Sequence, residues 1–189
     1  EEAPCCSVIV PVYNGEETIV QCLDALAHQN VRQRCYEVII VDDGSQDGTA
    51  TAVRDWHRRH EEVRLRLLQQ QNAGPAAARN RGAENATAPL LLFTDADCRP
   101  DPQWAELLVA ALDEAPVAGG AVRFSLTGNR WAVADNIASF HELLADRPAS
   151  RSADQAVGSL NMGVRRAVRF LQSSLNLLNR NQRDYQDLI

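Results

Sequence analysis

Short runs of aliphatic residues alternate along this chain with stretches in which apolar positions recur at helical spacing. Ser7–Val12 is a β-branched run that stops at the turn Tyr13-Asn14-Gly15. Between Glu16 and Gln29, Ile19, Val20, Leu23, Leu26 and Ala27 line one side of a predicted helix. Glu37–Val41 reads as a second strand, closed by Asp42-Asp43-Gly44-Ser45. Thr49–Glu61 reads as a helix with Val53 and Trp56 inward and a charged outer face, His57-Arg58-Arg59-His60. Val63–Leu68 is a third strand, followed by the turn Asn72-Ala73-Gly74-Pro75 and a helix over Ala76–Ala86 entered through the proline. Leu90–Phe93 is a fourth strand, again closed by acids in Thr94-Asp95-Ala96-Asp97. Pro102 opens an amphipathic helix whose predicted apolar stripe is Trp104, Leu107, Leu108, Ala111 and Leu112. Beyond it the pattern gives a strand over Val117–Phe124 broken at Gly119-Gly120, a helix over Trp131–Leu144 and a polar loop over Asp146–Asp154. A strand over Gly158–Val164, a helix over Ala167–Leu178 and a fraying Asn/Gln/Arg-rich end, Asn179–Ile189, complete the reading.

Strand–helix alternation with continuously apolar strands predicts an α/β protein, a mostly parallel central sheet with helices on both faces. Right-handed crossovers then bring the C-terminal ends of the parallel strands to one edge, where open α/β sheets bind ligands. Both acidic clusters follow strand ends, so both are expected at that edge.

Composition narrows the class. The 189 residues are 45% hydrophobic, enough for one core, and the chain is expected to be a single domain over 1–189. Mixed charge and long aliphatic runs exclude a disordered chain. No run approaches the ~18 consecutive apolar residues of a membrane helix. A net charge of −6 and a pI near 5.2 argue against a nucleic-acid partner, whose footprint is basic. The five cysteines include no C-x-x-C pair and read as free thiols in a cytoplasmic protein, with peripheral contact at a membrane as a variant of that setting. The start, Glu1-Glu2-Ala3-Pro4, has no Met, basic flank or apolar segment and reads as an excerpt or processed chain.

Asp95 and Asp97 carry the first chemical signal. Alternate residues of an extended segment point the same way, so an Asp-x-Asp offers two carboxylates to one point. Mg²⁺ or Mn²⁺ relieves their repulsion, taking one or two carboxylates together with substrate phosphates. Asp42 and Asp43 form a turn, with Asp47 as a cap for the following helix. One of them is also placed to accept hydrogen bonds from a nucleobase or ribose, as an acid at this position does in dinucleotide folds. No G-x-G-x-x-G is present, which argues against NAD. Asn72-x-Gly74 followed by Arg79-Asn80 brings a turn, a helix start and a planar cation suited to phosphate towards the same edge.

Taken in order, these segments resemble the family 2 glycosyltransferases. The resemblance rests on Ser7-Val8-Ile9-Val10-Pro11-Val12-Tyr13-Asn14-x-Glu16 and Val41-Asp42-Asp43-Gly44-Ser45-x-Asp47-Gly48-Thr49. It continues through Asn72-x-Gly74, Ala78-Arg79-Asn80-x-Gly82, Phe93-Thr94-Asp95-Ala96-Asp97, Gly119-Gly120 and Asn161-Met162-Gly163-Val164-Arg165-Arg166, and spans roughly residues 7–168. It implies a GT-A, Rossmann-like fold and an inverting, metal-dependent transfer of a sugar from a nucleotide diphosphate sugar, a UDP-sugar in this reading. The acceptor hydroxyl would belong to a glycan, a lipid or a small molecule. The resemblance places Pro11, Tyr13 and Glu16 around the nucleotide and Asp43 at the base, with Arg79 nearby. It places Asp95 at the ribose and donor sugar, and Asp97 on the Mn²⁺ or Mg²⁺ that holds the diphosphate. Residues 7–100 would form the nucleotide-sugar-binding half, 101–168 the start of the acceptor half and 169–189 an atypical tail.

The family's general base is commonly a Glu-Asp motif downstream of the Asn161–Arg166 segment, and none follows here. After Val168 the first acids are Asp184 and Asp187. The base is therefore unassigned, with Asp184 as the candidate on position alone. This sets a second expectation beside the enzyme: a truncated nucleotide-sugar-binding domain with little transfer activity. A sugar-phosphate nucleotidyltransferase would need a Gly-rich loop after the first strand, which Tyr13-Asn14-Gly15 does not supply. Cys98 reads as a neutral neighbour of the acid pair, and His57 and His60 as part of a solvated helix face.

Overall fold

The computed structural model describes residues 3–31, 35–121 and 161–167. Within them the order is β1 (Cys6–Val12), α1 (Ile19–Ala27), β2 (Tyr36–Asp42), α2 (Thr49–Arg59), β3 (Leu65–Gln69), α3 (Pro75–Asn85), β4 (Leu90–Thr94), α4 (Trp104–Glu114), β5 (Val117–Gly119) and β6 (Asn161–Arg165). The expected helices over Trp131–Leu144 and Ala167–Leu178, the loop Asp146–Asp154, the tail Asn179–Ile189 and Asp184 lie outside the described residues.

The six strands form one sheet in the order β3-β2-β1-β4-β6-β5. β1 is the hub, parallel to β2 through Val12↔Asp42 and parallel to β4 through Ile9↔Phe93; β3 continues the parallel set beside β2. β6 runs antiparallel to both β4 and β5. The prediction of a mostly parallel sheet holds for β1–β4, and β6 supplies the reversed strand.

Alternation along the strands divides the core. Cys6, Val8, Val10 and Val12 face α1, α2 and α4, where they meet Leu23, Leu26, Val53, Trp56, Leu108 and Leu112. Ile9, Ile39 and Val41 face the other way with Ala78 of α3, Phe93 and Met162. α3 lies so close that a Cβ on Gly82 would meet Ile9 Cγ2 at 2.4 Å. Trp56 crosses from α2 to α1 by donating its indole N–H to Asp24 Oδ1 at 2.6 Å.

Three expected features shift for local reasons. α1 starts at Ile19, because Gly15 O accepts the N–H groups of Thr18 and Ile19 in a preceding turn. β3 starts at Leu65, because Val63 closes a turn on His60 O. Leu107, expected inward, is 62% exposed. The buried side of α4 is Trp104, Ala105, Leu108 and Leu112, which at roughly 100° per residue span about 100° of arc that excludes Leu107 and Ala111, the latter also expected inward and exposed.

At the N-terminal ends of the strands, opposite the acidic loops, Glu37 is buried at 5% exposure. Its Oε1 accepts Ser7 Oγ at 2.6 Å and both the N–H and Oγ1 of Thr87 at 2.7 Å, and Arg66 lies 3.7 Å from Oε2. Burial works to raise its pKa, but the hydrogen bonds from Ser7 and Thr87 and the charge of Arg66 outweigh it and hold the carboxyl below its ordinary value.

Glu37→Gln keeps the shape and removes the charge, and should cost about 1 kcal/mol in urea unfolding at neutral pH. A depressed carboxyl pKa stabilises the fold above the unfolded-state value and loses that contribution as pH falls through the folded one. The difference between parent and variant should therefore shrink on acidification; a constant gap would contradict the charge argument. Gly82→Ala should lower stability by about 1–2 kcal/mol despite the better helix propensity of alanine, because the methyl overpacks against Ile9.

Candidate functional site

Parallel strands deliver four loops to one edge. The loop after β1 and the loop after β2 are laced together by backbone groups. Asn14 N donates to Ser45 Oγ at 2.9 Å, and Gln46 N returns a bond to Asn14 Oδ1 at 2.9 Å. Asn14 has φ of 48°, the one non-glycine residue in the left-handed region among the described residues, and this reciprocal pair fits the enrichment of Asn there. Gly15 N donates to Thr49 Oγ1 at 2.9 Å and Glu16 N to Asp47 Oδ2 at 3.1 Å. Asp47 also receives Thr49 N at 3.0 Å and the Thr49 hydroxyl; the N-cap of α2 is Gly48, so Asp47 binds the first turn from one residue outside the expected cap position. The Thr49 hydroxyl and these amides together lower its pKa.

Glu16, expected at the nucleotide, is tied to the neighbouring loop: its Oε2 accepts Gly48 N at 2.8 Å. A Cβ on Gly48 would stand 2.3 Å from Glu16 Oε1, so glycine is what lets the carboxylate in. Pro11 is buried inside β1 opposite Val41, a residue short of the edge, whereas Tyr13 projects at 50% exposure.

The two acids after β2 are almost fully buried, Asp42 at 1% and Asp43 at 2% exposure. Asp42 holds its own turn and the end of β3, accepting Ser45 N at 2.9 Å and Gln69 Nε2 at 3.0 Å. Asp43 reaches the next loop. Its Oδ1 accepts Gln70 Nε2 at 2.6 Å and Ala73 N at 2.9 Å, and its Oδ2 accepts Gly74 N at 2.8 Å. Gly74, with φ of +90°, then caps α3. The Asn72–Gly74 motif of the sequence is thus the segment wrapped on Asp43.

α3 carries Arg79 under the fourth loop. At 5% exposure, it pairs through Nη2 with Asp95 Oδ1 at 2.5 Å, while its Nε is buried without a partner among the described residues. Asp95 is partly exposed and Asp97 exposed. The backbone oxygen of Asp95 accepts Cys98 N at 3.0 Å and the Cys22 thiol at 3.5 Å, which pins the loop to α1. Among the described residues Asp97 receives only the Cys98 thiol, at 3.7 Å. Burial first, then the charges of Asp97 and Asp95, push the Cys98 thiol up to about 11, so it stays a neutral neighbour. All five cysteines are free.

The donors on this loop are two carboxylates beside the Cys98 thiol, which stays neutral, and the described residues contain no cluster of three potential metal ligands. An open, oxygen-only pair fits Mg²⁺ or Mn²⁺, which leave most positions to water and substrate phosphates. A closed structural metal site would need more donors. His57 and His60 form no such site: the His60 ring stacks on Trp56 at 4.1 Å.

Sequence reasoning missed the partners that hold these acids. Gln69, Gln70, Ser45 and Thr49 look like ordinary turn or strand-end residues, and only the register of β2 against β3 brings Gln69 beside Asp42. It also gave no role to Asn161 at the start of β6, which pairs with Thr94 immediately before Asp95.

Known proteins share this framework. Residues 7–170 match the family described as Glycosyl transferase family 2. Glycosyltransferase AglE of Haloferax volcanii is 35% identical over 167 residues, covering 87% of this chain and 54% of AglE. A validoxylamine A glucosyltransferase of Streptomyces hygroscopicus subsp. limoneus is 37% identical over 57% of this chain and 24% of its own length. The chain therefore spans about half, or less, of the curated relatives it matches. Among solved structures, the mannosyltransferase PcManGT of Pyrobaculum calidifontis, in complex with GDP-Man and Mn²⁺, superposes with a TM-score of 0.59 at 32% identity, covering 65% of this chain and 36% of that one. S. aureus TarS with UDP-GlcNAc gives a TM-score of 0.65 at 25% identity, covering 89% of this chain and 47% of that one. With the ordered edge motifs, the sheet topology and this match over most of its length, the chain belongs to glycosyl transferase family 2 and has the GT-A fold.

Proposed function

We propose that this chain carries out a metal-dependent, inverting transfer of a sugar from a UDP-sugar to an acceptor hydroxyl of a glycan, lipid or small molecule. The observation that carries the reading is the convergence on one sheet edge of the Asp43-held loop and the Asp95–Asp97 loop, joined beneath by Arg79. Neighbours holding UDP-GlcNAc, and GDP-Man with Mn²⁺, support a nucleotide-sugar donor and a divalent cation.

In this reading Asp97 and Asp95 hold the cation. Bound there, it would act as a Lewis acid on the negative charge that develops as the nucleotide diphosphate departs. Arg79 orients Asp95 from below through their ion pair. Asp43 builds the base end: three of its lone-pair sites hold the 70–74 loop, and one on Oδ2 is left to accept an imide N–H. Tyr13, at the exposed rim, offers a ring face to the nucleotide, while Pro11, Glu16 and Asp42 set the shape of the loops around it. Inverting transfer also needs a base for the acceptor hydroxyl. Asp184 is the candidate. Residues 7–100 act as the donor half, 101–168 begin the acceptor half, and 169–189 form a divergent tail. A cytoplasmic setting, with or without contact at a membrane surface, fits five free thiols. Among the described residues no helix is long and apolar enough to cross a membrane.

A second reading keeps donor binding without efficient transfer. It is favoured by the run from Ala167 to Arg183, which contains no acid where the family places its base.

Calorimetric titration of UDP should show binding in Mn²⁺ that EDTA weakens. Asp97→Ala should bind UDP alike in both conditions; parent-like tightness in Mn²⁺ would remove Asp97 from the metal site. Asp43→Ala should weaken UDP more than free diphosphate, and equal losses would take Asp43 away from the base. Release of UDP with formation of a glycosylated acceptor separates the enzyme from the binding domain.

A further inference from the structure

The acid loop is anchored at both ends, and one side chain stands at both anchors. The loop leaves β4 at Thr94, carries Asp95 and Asp97, and enters α4 at Trp104. At its start, Thr94 is 2% exposed and pairs with Asn161 in the antiparallel ladder to β6. At its end, Trp104 donates its indole N–H to Asn161 Oδ1 at 2.7 Å in a buried contact. Asn161 itself is 8% exposed and makes further bonds. Its Nδ2 donates to Ala121 O at 2.8 Å, and its backbone oxygen accepts Gly120 N at 3.0 Å. Gly120 leaves it room, since a Cβ there would fall 2.4 Å from Oδ1.

The far end of the loop is also tied to α1. Gln29 Nε2 donates to Asp101 O at 2.9 Å, Gln29 Oε1 accepts Ala105 N at 3.0 Å, and Asn30 N donates to Pro102 O at 2.8 Å. These bonds fix residues 101–105 against α1. At the start of the loop α1 reaches only the backbone oxygen of Asp95, through the Cys22 thiol at 3.5 Å. Asn161 spans from the strand beside Thr94 to the ring of Trp104, so together with that thiol contact it sets the distance between the two ends of the loop.

We infer that Asn161 is a positioning residue for the Asp95–Asp97 metal site, acting through Trp104 and without touching the cation. The inference rests on the metal reading given above. Two carboxylates that leave most of the coordination shell to water and phosphate depend on their spacing for affinity, and partners outside the first shell typically change metal affinity by about 10–100-fold when lost. A loop slackened at one end should lose metal before it loses nucleotide.

The test is a titration of Mn²⁺ into the chain at fixed UDP, followed by calorimetry and by the electron paramagnetic resonance signal of free Mn²⁺. Asn161→Ala should raise the Mn²⁺ concentration at half-saturation about tenfold, while UDP affinity in EDTA stays at the parent value. Trp104→Phe keeps the buried ring and removes only the N–H, so it should give the same shift, and it decides the matter alone if Asn161→Ala does not fold. The double variant should be no worse than Asn161→Ala alone, because the Trp104–Asn161 bond is already lost there. An unshifted Mn²⁺ midpoint in Trp104→Phe, or an equal fall of UDP affinity in EDTA, would overturn the inference while leaving the metal site itself in place. A parent chain that binds UDP without regard to Mn²⁺ would instead overturn the metal reading, and this inference with it.

Discussion

Four parallel strands ending on one edge are the constraint from which the rest follows. Because β1 pairs in parallel with both β2 and β4, the loops after all three must emerge side by side. No single loop builds the site. Glu16 from the first closes on Gly48 of the second, Asp43 from the second holds Gly74 of the third, and Arg79 beyond the third supports Asp95 of the fourth. Each loop lends a side chain to the next, so the edge is a chain of dependencies that runs across the sheet.

The central link is made by a buried acid, Asp43, beside a second one, Asp42, that holds its own turn, and both are buried within known costs. Burying a carboxylate is unfavourable unless donors compensate it. Asp43 and Asp42 each take donors on both oxygens, and most of these come from backbone amides or carboxamides of adjacent loops. Arg79 is the exception: its guanidinium pairs with Asp95, yet its Nε is left without a partner. A buried nitrogen with no partner among the described residues therefore lies below the loop proposed to hold the cation.

Much of the fold was legible because apolar periodicity and turn chemistry agree along the first hundred residues. Val8–Val12 and Val38–Val41 alternate between two cores, and the Gly-rich turns stop them where the strands end. The acids were legible as a set at the edge. Their individual duties were not. Nothing in Glu16-x-x-x or Asp42-Asp43 distinguishes a carboxylate facing a ligand from one facing a neighbouring loop, since that choice depends on register between strands far apart in sequence. Leu107 failed for a different reason: helical spacing gives a stripe, but tertiary packing chooses which quarter of it is covered. Asn161 failed because a lone Asn at a strand start carries no periodic signal, and its meaning appears only when β6 is laid against β4.

Glu37 gives the sheet a second, separate end. It gathers Ser7, Thr87 and Arg66 where the strands begin, a full strand length from the loops where they finish. The same four strands therefore have a pole that sets how firmly they hold together and a pole that sets what they hold. Damage at the first would reach a cell as lost protein, and damage at the second as intact protein with an altered edge. The two kinds of lesion are separable by abundance alone, before any substrate is known.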